Sequence, residues 1–232
     1  MLPIPALLVL LAPAPPAPAG VYFEQTVVSS ADGRASGPGV SSRVWHAPGG
    51  RMRMEAGGEG AGAALILRLG EGKAWRIDPE RKTATALDVE RLRERSRLDL
   101  GLAGQLMGGG EEPRLSELPG QQTIAGYRCR GYRLTAGSAV IDLYLTRDLP
   151  LGIEAFADFL EWSGASETMG PLLKQVRTLR GFPLQTRSRV SVLGERHETV
   201  STVTRVVVGP QRASLFEPPS GYRVVTAPPA GE

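Results

Sequence analysis

The chain has 232 residues, 41% hydrophobic and 22% charged, a composition that suits one folded domain and excludes global disorder. Its formal charge is only +3, carried almost wholly by scattered arginines; the lysines are Lys73, Lys82 and Lys174. No Arg-Gly repeat, zinc-finger spacing or basic tail accompanies that charge, so nucleic acid is excluded as a partner.

Residues 1–19 read as a signal peptide. Ala6 to Ala12 is an apolar run, too short for a bilayer, which takes about 20 residues. Ala17-Pro18-Ala19-Gly20 then carries the small-x-small pattern that signal peptidase accepts. No Lys or Arg precedes the run, and a start codon lying further upstream would account for that. Cys129, the single cysteine, forms no internal disulfide and is far from the cleavage site, so no lipid anchor is expected. No other segment is long and apolar enough to cross a membrane. The expectation is a released monomer in the periplasm or outside the cell.

Period-two patterns follow. Val21 to Ser29 is rich in β-branched and aromatic residues and predicts a strand. Val40 to His46 and Arg51 to Glu55 form a hairpin across Pro48-Gly49-Gly50. In its second arm Met52 and Met54 face one way, Arg51, Arg53 and Glu55 the other, as in a strand with one buried face. Ala64 to Leu69, Lys73 to Asp78 and Lys82 to Leu87 read as a meander. Asp88 caps a charged surface helix, Val89 to Gln105, ended by Gly108-Gly109-Gly110.

Strands resume at Thr123 to Tyr127, Cys129 to Thr135 and Ala139 to Thr146. Next, Phe156 and Phe159 recur at helical spacing, as do Met169, Leu172 and Val176. Leu184 to Leu193 and Glu198 to Val208 form a hairpin, followed by Leu215 to Pro219 and a short strand, Tyr222 to Val225. Residues 20–226 therefore read as a single mainly β (α+β) domain, with 227–232 a disordered tail. Strands joined by short turns predict one curved antiparallel sheet, an incomplete barrel whose concave face the helices cover.

Four stretches carry a family likeness: Ile124-Ala125-Gly126-Tyr127-Arg128-Cys129-Arg130-Gly131-Tyr132, Leu143-Tyr144-Leu145-Thr146-Arg147-Asp148-Leu149-Pro150, Gly181-Phe182-Pro183-Leu184 and Phe216-Glu217-Pro218-Pro219-Ser220-Gly221-Tyr222. Their order and spacing resemble an exported bacterial family classed as a domain of unknown function, DUF4412. More remotely they are similar to the LolA-like lipoprotein carriers, half-barrels with helical lids. The resemblance implies that fold and a role in holding acyl chains. It transfers no ligand-binding residue, because the motifs are turn and strand-end signatures: Gly126 and Gly131 permit turns, Pro150 ends a strand, and Pro218-Pro219 blocks pairing.

Catalytic groups are sparse. His46 and His197 lie far apart without ligand spacing and read as surface histidines. Arg128 and Arg130 flank Cys129 but point to the opposite face of a strand, so Cys129 reads as a small buried residue. No phosphate loop or nucleophile elbow occurs, and neither an enzyme nor a cofactor is expected. The apolar residues point elsewhere. Met52, Met54, Leu65, Leu67, Trp75, Ile77, Leu143 and Leu145 are expected on one sheet face, opposite Phe156, Phe159, Met169, Leu172 and Val176. Between them an apolar cavity would hold a lipid or acyl chain, with the second helix as a lid; the alternative is plain core packing. A second function class is an envelope interaction or sensor module that engages a protein partner.

Overall fold

The computed structural model describes residues 19–57, 62–88, 112–162, 170–192 and 194–226. Residues 1–18 of the expected signal peptide, the charged helix over 89–105, Met169 and the tail at 227–232 lie outside them.

Among the described residues thirteen strands join one open sheet. The first seven are β1 (Gly20–Ala31), β2 (Arg34–Ala35), β3 (Val40–Ala47), β4 (Arg51–Ala56), β5 (Ala64–Arg68), β6 (Lys73–Asp78) and β7 (Thr83–Ala86). Then come β8 (Arg114–Ile124), β9 (Tyr127–Ala136) and β10 (Ala139–Thr146), helices α1 (Ile153–Trp162) and α2 (Gly170–Val176), and strands β11 (Phe182–Val192), β12 (Glu195–Gly209) and β13 (Arg223–Thr226). Two meanders are zipped together where β1 pairs with β12, giving the order β13-β7-β6-β5-β4-β3-β1-β12-β11-β10-β9-β8, with β2 against β1. A register shift at Glu24/Gln25 and another at Tyr144/Leu145 interrupt the central ladders, as bulges do where a sheet bends.

Three expectations need correction. The sheet is not wholly antiparallel, because β13 runs parallel to β7. After β12 the chain crosses the sheet, seats Phe216 and turns at Ser220-Gly221, where the Tyr222 N–H donates to the Pro219 carbonyl at 3.2 Å, so it returns along β7 in the same direction. Second, Thr123 to Tyr127 is not one strand. Ala125 and Gly126 take left-handed φ angles of 49° and 84°, which fold the chain into a tight β8–β9 hairpin. Third, Gly131 is not a turn glycine. It lies inside β9, where a Cβ would sit 2.9 Å from the Tyr144 ring and 3.0 Å from the Leu118 Cβ, so it is needed for close approach.

Alternation sorts the apolar residues into two layers. On one face Val21, Phe23, Val44, Met52, Leu67, Phe182, Leu184 and Val203 form a buried cluster. Beside it Leu134, Leu143 and Leu145 pack with Ile153 of α1 and with Leu172, Val176 and Leu179 of the α2 segment. Arg177 ties the two helices, donating to Asp158 Oδ1 and Glu161 Oε1, each at 2.9 Å. The other face carries a separate cluster in which Ile66, Ile77, Trp45 and Trp75 surround Phe216. Arg53 fastens that segment by donating to the Leu215 carbonyl at 3.2 Å.

Behind the helix-bearing cluster, Asp142 is 3% exposed and held by two arginines. Arg133 donates to both its oxygens, at 2.6 and 2.9 Å, and Arg189 donates to Oδ2. Burial pushes the carboxyl pKa up, but the bonds from Arg133 and the charges of Arg189, Arg133 and Arg187 outweigh it and leave it lowered. Its stabilising contribution is therefore complete above the unfolded value of about 3.9 and is lost as pH falls through the folded value. Asp142→Ala strands both guanidiniums. Because each is about a third exposed, the expected loss is about 2 kcal/mol, below the 3–5 typical of a fully buried pair. Urea unfolding at pH 7 and pH 3 checks this: the gap between variant and wild type should narrow at the lower pH.

Candidate functional site

Between α1 and the sheet lies an apolar cavity of about 250 Å³, near the lower end of the range for small-molecule sites. Its floor comes from five strands whose registers bring one face together. Phe23 stands opposite Val44, Val44 opposite Met54, His46 opposite Met52, and Thr186 opposite Ser201. Phe182 and Leu184 of β11 complete the floor, and Ala155, Phe156 and Phe159 of α1 form the wall above it. Polar groups gather at one end, where Gln25, Thr186 and Ser201 line the space; the Gln185 side chain faces away and donates to Thr202 Oγ1 at 3.0 Å.

A second depression of about 560 Å³ adjoins the first and shares His46, Met52, Ala155 and Phe159 with it. It opens between the β3–β4 turn at Pro48–Gly50, Leu69, and the Pro150–Gly152 segment that leads into α1. Glu154 and Asp158 stand at its rim. Together the two spaces form an elongated groove beneath α1, apolar within and acidic at the mouth.

His46 occupies the neck. Its ring stacks on Phe23 with centroids 5.9 Å apart and meets the edge of Phe182 at 6.1 Å. Its remaining surface opens into the groove. Desolvation lowers its pKa to about 4, so the imidazole is neutral at physiological pH. The surface reading of His46 from sequence is thus corrected: the ring is half-buried between the two phenylalanines, with its open side toward the groove.

The residues expected to line a cavity divide by position. Met52, Met54, Phe156 and Phe159 do line it. Leu65 and Leu67 share their face and pack in the same cluster, without bordering the open space. Leu143, Leu145, Leu172 and Val176 form the neighbouring cluster under the helices. Trp75 and Ile77 face the other way: Trp75 pairs with Ile66 and Ile77 with Ala64, so both join the Phe216 cluster. Phe23, Val44, His46, Phe182, Leu184 and Val203 were missed as lining residues. The signal for Phe23 was present in the alternation of Val21, Phe23 and Gln25; Phe182 had only a turn-like context in Gly181-Phe182-Pro183.

Groups suited to chemistry stay apart. His46 pairs with Val21 and His197 with Ala31, ten residues along β1, which is about 33 Å. His197 is exposed and lies 3.6 Å from Glu195. Cys129 is buried, its thiol pushed up to about 11 chiefly by desolvation, and it contacts the Tyr127 carbonyl at 3.6 Å. A thiol with that pKa is a poor nucleophile at neutral pH. Among the described residues no group of three His, Cys, Asp or Glu side chains is placed to hold a metal ion. No described helix is long and apolar enough to cross a membrane.

Comparison with known proteins gives a family and a set of similar folds. A family model described as "Domain of unknown function (DUF4412)" matches residues 39–222. No curated protein matches the chain. Among solved structures, an uncharacterized conserved protein from Thermus thermophilus is 13% identical, with a TM-score of 0.46, over 89% of this chain and 90% of that one. MucB is 14% identical, with a TM-score of 0.44, over 88% of this chain and 59% of its own. The LolA superfamily protein NE2245 from Nitrosomonas europaea is 11% identical, with a TM-score of 0.33, over 85% and 90%. The chain spans 31% of the length of PNGF-II, which it also resembles.

Proposed function

The chain belongs to the DUF4412 family, whose description assigns no activity, and from its own geometry we propose that it is an exported binding protein that holds a lipid-like or lipoprotein-derived chain in the groove beneath α1. The supporting observation is the groove itself: an open space walled by Phe23, Val44, Met54, Phe159, Phe182 and Leu184, at a position where a packed core would leave none. Binding is by apolar burial. At about 25 cal/mol per Å², a chain that loses about 200 Å² of surface to the groove gains about 5 kcal/mol without directional contacts.

In this reading α1 is the wall that admits the ligand. It rests on the sheet through Ile153 and Ala157, both fully buried, and is braced at its far end by Arg177. The α2 segment, packed on Leu143 and Leu145, is the lid that holds α1 in place. Signal-peptide export would deliver the protein to the compartment where such ligands are exchanged between membranes.

Titration with an acyl-chain fluorophore whose emission rises on transfer from water tests the proposal. Saturable enhancement at one site per chain, competed by unlabelled amphiphiles, is the expected result. Emission that rises linearly without saturation would count against a defined site.

A further inference from the structure

The groove is not uniformly apolar: besides the polar end at Gln25, Thr186 and Ser201, one polar ring sits where its two spaces adjoin. His46 borders both the inner cavity and the outer depression, between Phe23 and Phe182. Among the described residues neither ring nitrogen makes a hydrogen bond to protein. We propose that His46 is the polar handle of the site, and that the ligand carries an uncharged hydrogen-bonding group, a hydroxyl, ester or amide, joined to an apolar chain. This inference rests on the binding reading above and names the class of ligand.

Three considerations carry it. First, the ring is half-buried among apolar neighbours, with its open side toward the groove, where a Phe or Leu would pack on Phe23 and Phe182 without a polar edge. A ligand atom opposite the imidazole gives that edge a partner. Second, the ring is uncharged, so it presents one N–H donor and one lone-pair acceptor. A hydroxyl can use both, an ester or amide carbonyl the donor.

Third, the charges around the groove disfavour an anionic head group. The groups that face His46 from β1, β4 and β11 are Phe23, Met52 and Phe182, none titratable, while α1 contributes Ala155 and Phe159. The titratable side chains at the mouth are Glu154 and Asp158, both acidic, and Asp158 alone is answered by a cation, Arg177. A carboxylate ligand would meet a neutral imidazole inside and negative charge outside. A bare alkyl chain would leave the ring unpaired.

The test compares octanol, methyl octanoate, octanoate and octane as competitors of the bound fluorophore, for wild type, His46→Phe and His46→Gln. Wild type should prefer octanol and methyl octanoate to octane by at least about tenfold, with octanoate weaker than its ester at pH 7. His46→Phe should erase that preference while octane binds as before; His46→Gln, which keeps a donor and an acceptor, should retain part of it. In wild type labelled with 15N-histidine, the His46 ring signals should shift with octanol and stay in place with octane. That measurement stands even if His46→Phe fails to fold. Equal affinity of wild type for octane and octanol, or a preference that survives in His46→Phe, would overturn the proposal and leave the groove reading intact. Absence of binding by all four probes would overturn both.

Discussion

Ala155→Trp should lower the affinity for an acyl-chain probe at least about tenfold while the protein remains folded. Ala155 lies on α1, lines both the inner cavity and the outer depression, and is only partly buried. An indole there projects into the neck and occupies the space a chain would cross, and it has open volume to enter rather than packed neighbours to displace. Loss of the corresponding apolar burial is worth at least about 1.4 kcal/mol, the tenfold step. Fluorescence titration reads the affinity, and the thermal midpoint and far-UV circular dichroism read the fold. An unchanged affinity in a folded variant would mean that probes bind elsewhere.

Gly181→Ala should destabilise the protein by about 3 kcal/mol or more, and much of it should be recovered as aggregate. Gly181 has a φ of 109°, a region that L side chains rarely adopt. An added Cβ would press far inside van der Waals contact with the Thr146 carbonyl oxygen, a backbone atom that cannot swing aside. Backbone strain of about 1–3 kcal/mol and a comparable overpacking cost act together. The consequence reaches the site because the next residue is Phe182, which forms the cavity floor and pairs with Thr146. Urea unfolding measures the change; a midpoint within experimental error of wild type would contradict this role for Gly181.

Much of the sheet was legible in the sequence because many of its strands alternate cleanly and are joined by tight turns. Met52 and Met54 are the clearest case, since alternation with Arg51, Arg53 and Glu55 fixes which side of β4 is buried. What alternation does not fix is the register between neighbours. Trp75 and Ile77 alternate just as cleanly, yet β5 sets Ile66 against Trp75 and Leu65 against Arg76, which puts both residues on the far face. One residue of slip reverses every side chain in a strand, and nothing local specifies it.

The strand β8 was illegible for a different reason. It is an edge strand bonded to β9 alone, with most of its residues exposed, a bulge between Glu117 and Gln121, and Pro119-Gly120 inside it. Edge strands tolerate proline and need no apolar face, so periodicity has nothing to detect. His46 was hidden by long-range assembly: its partial burial depends on Phe23 from β1 and Phe182 from β11, segments that meet only through the β1–β12 zipper. The sequence supplied the apolar inventory, and the tertiary pairing chose which of those residues face the groove.

The most direct test of the central claim is native mass spectrometry of the protein purified from its own host without detergent. A groove that carries a lipid-like chain predicts a population heavier than the polypeptide by one amphiphile. The extra mass should disappear on organic extraction and be depleted in Ala155→Trp. A single peak at the mass of the polypeptide alone, for protein that has never met detergent, would contradict it.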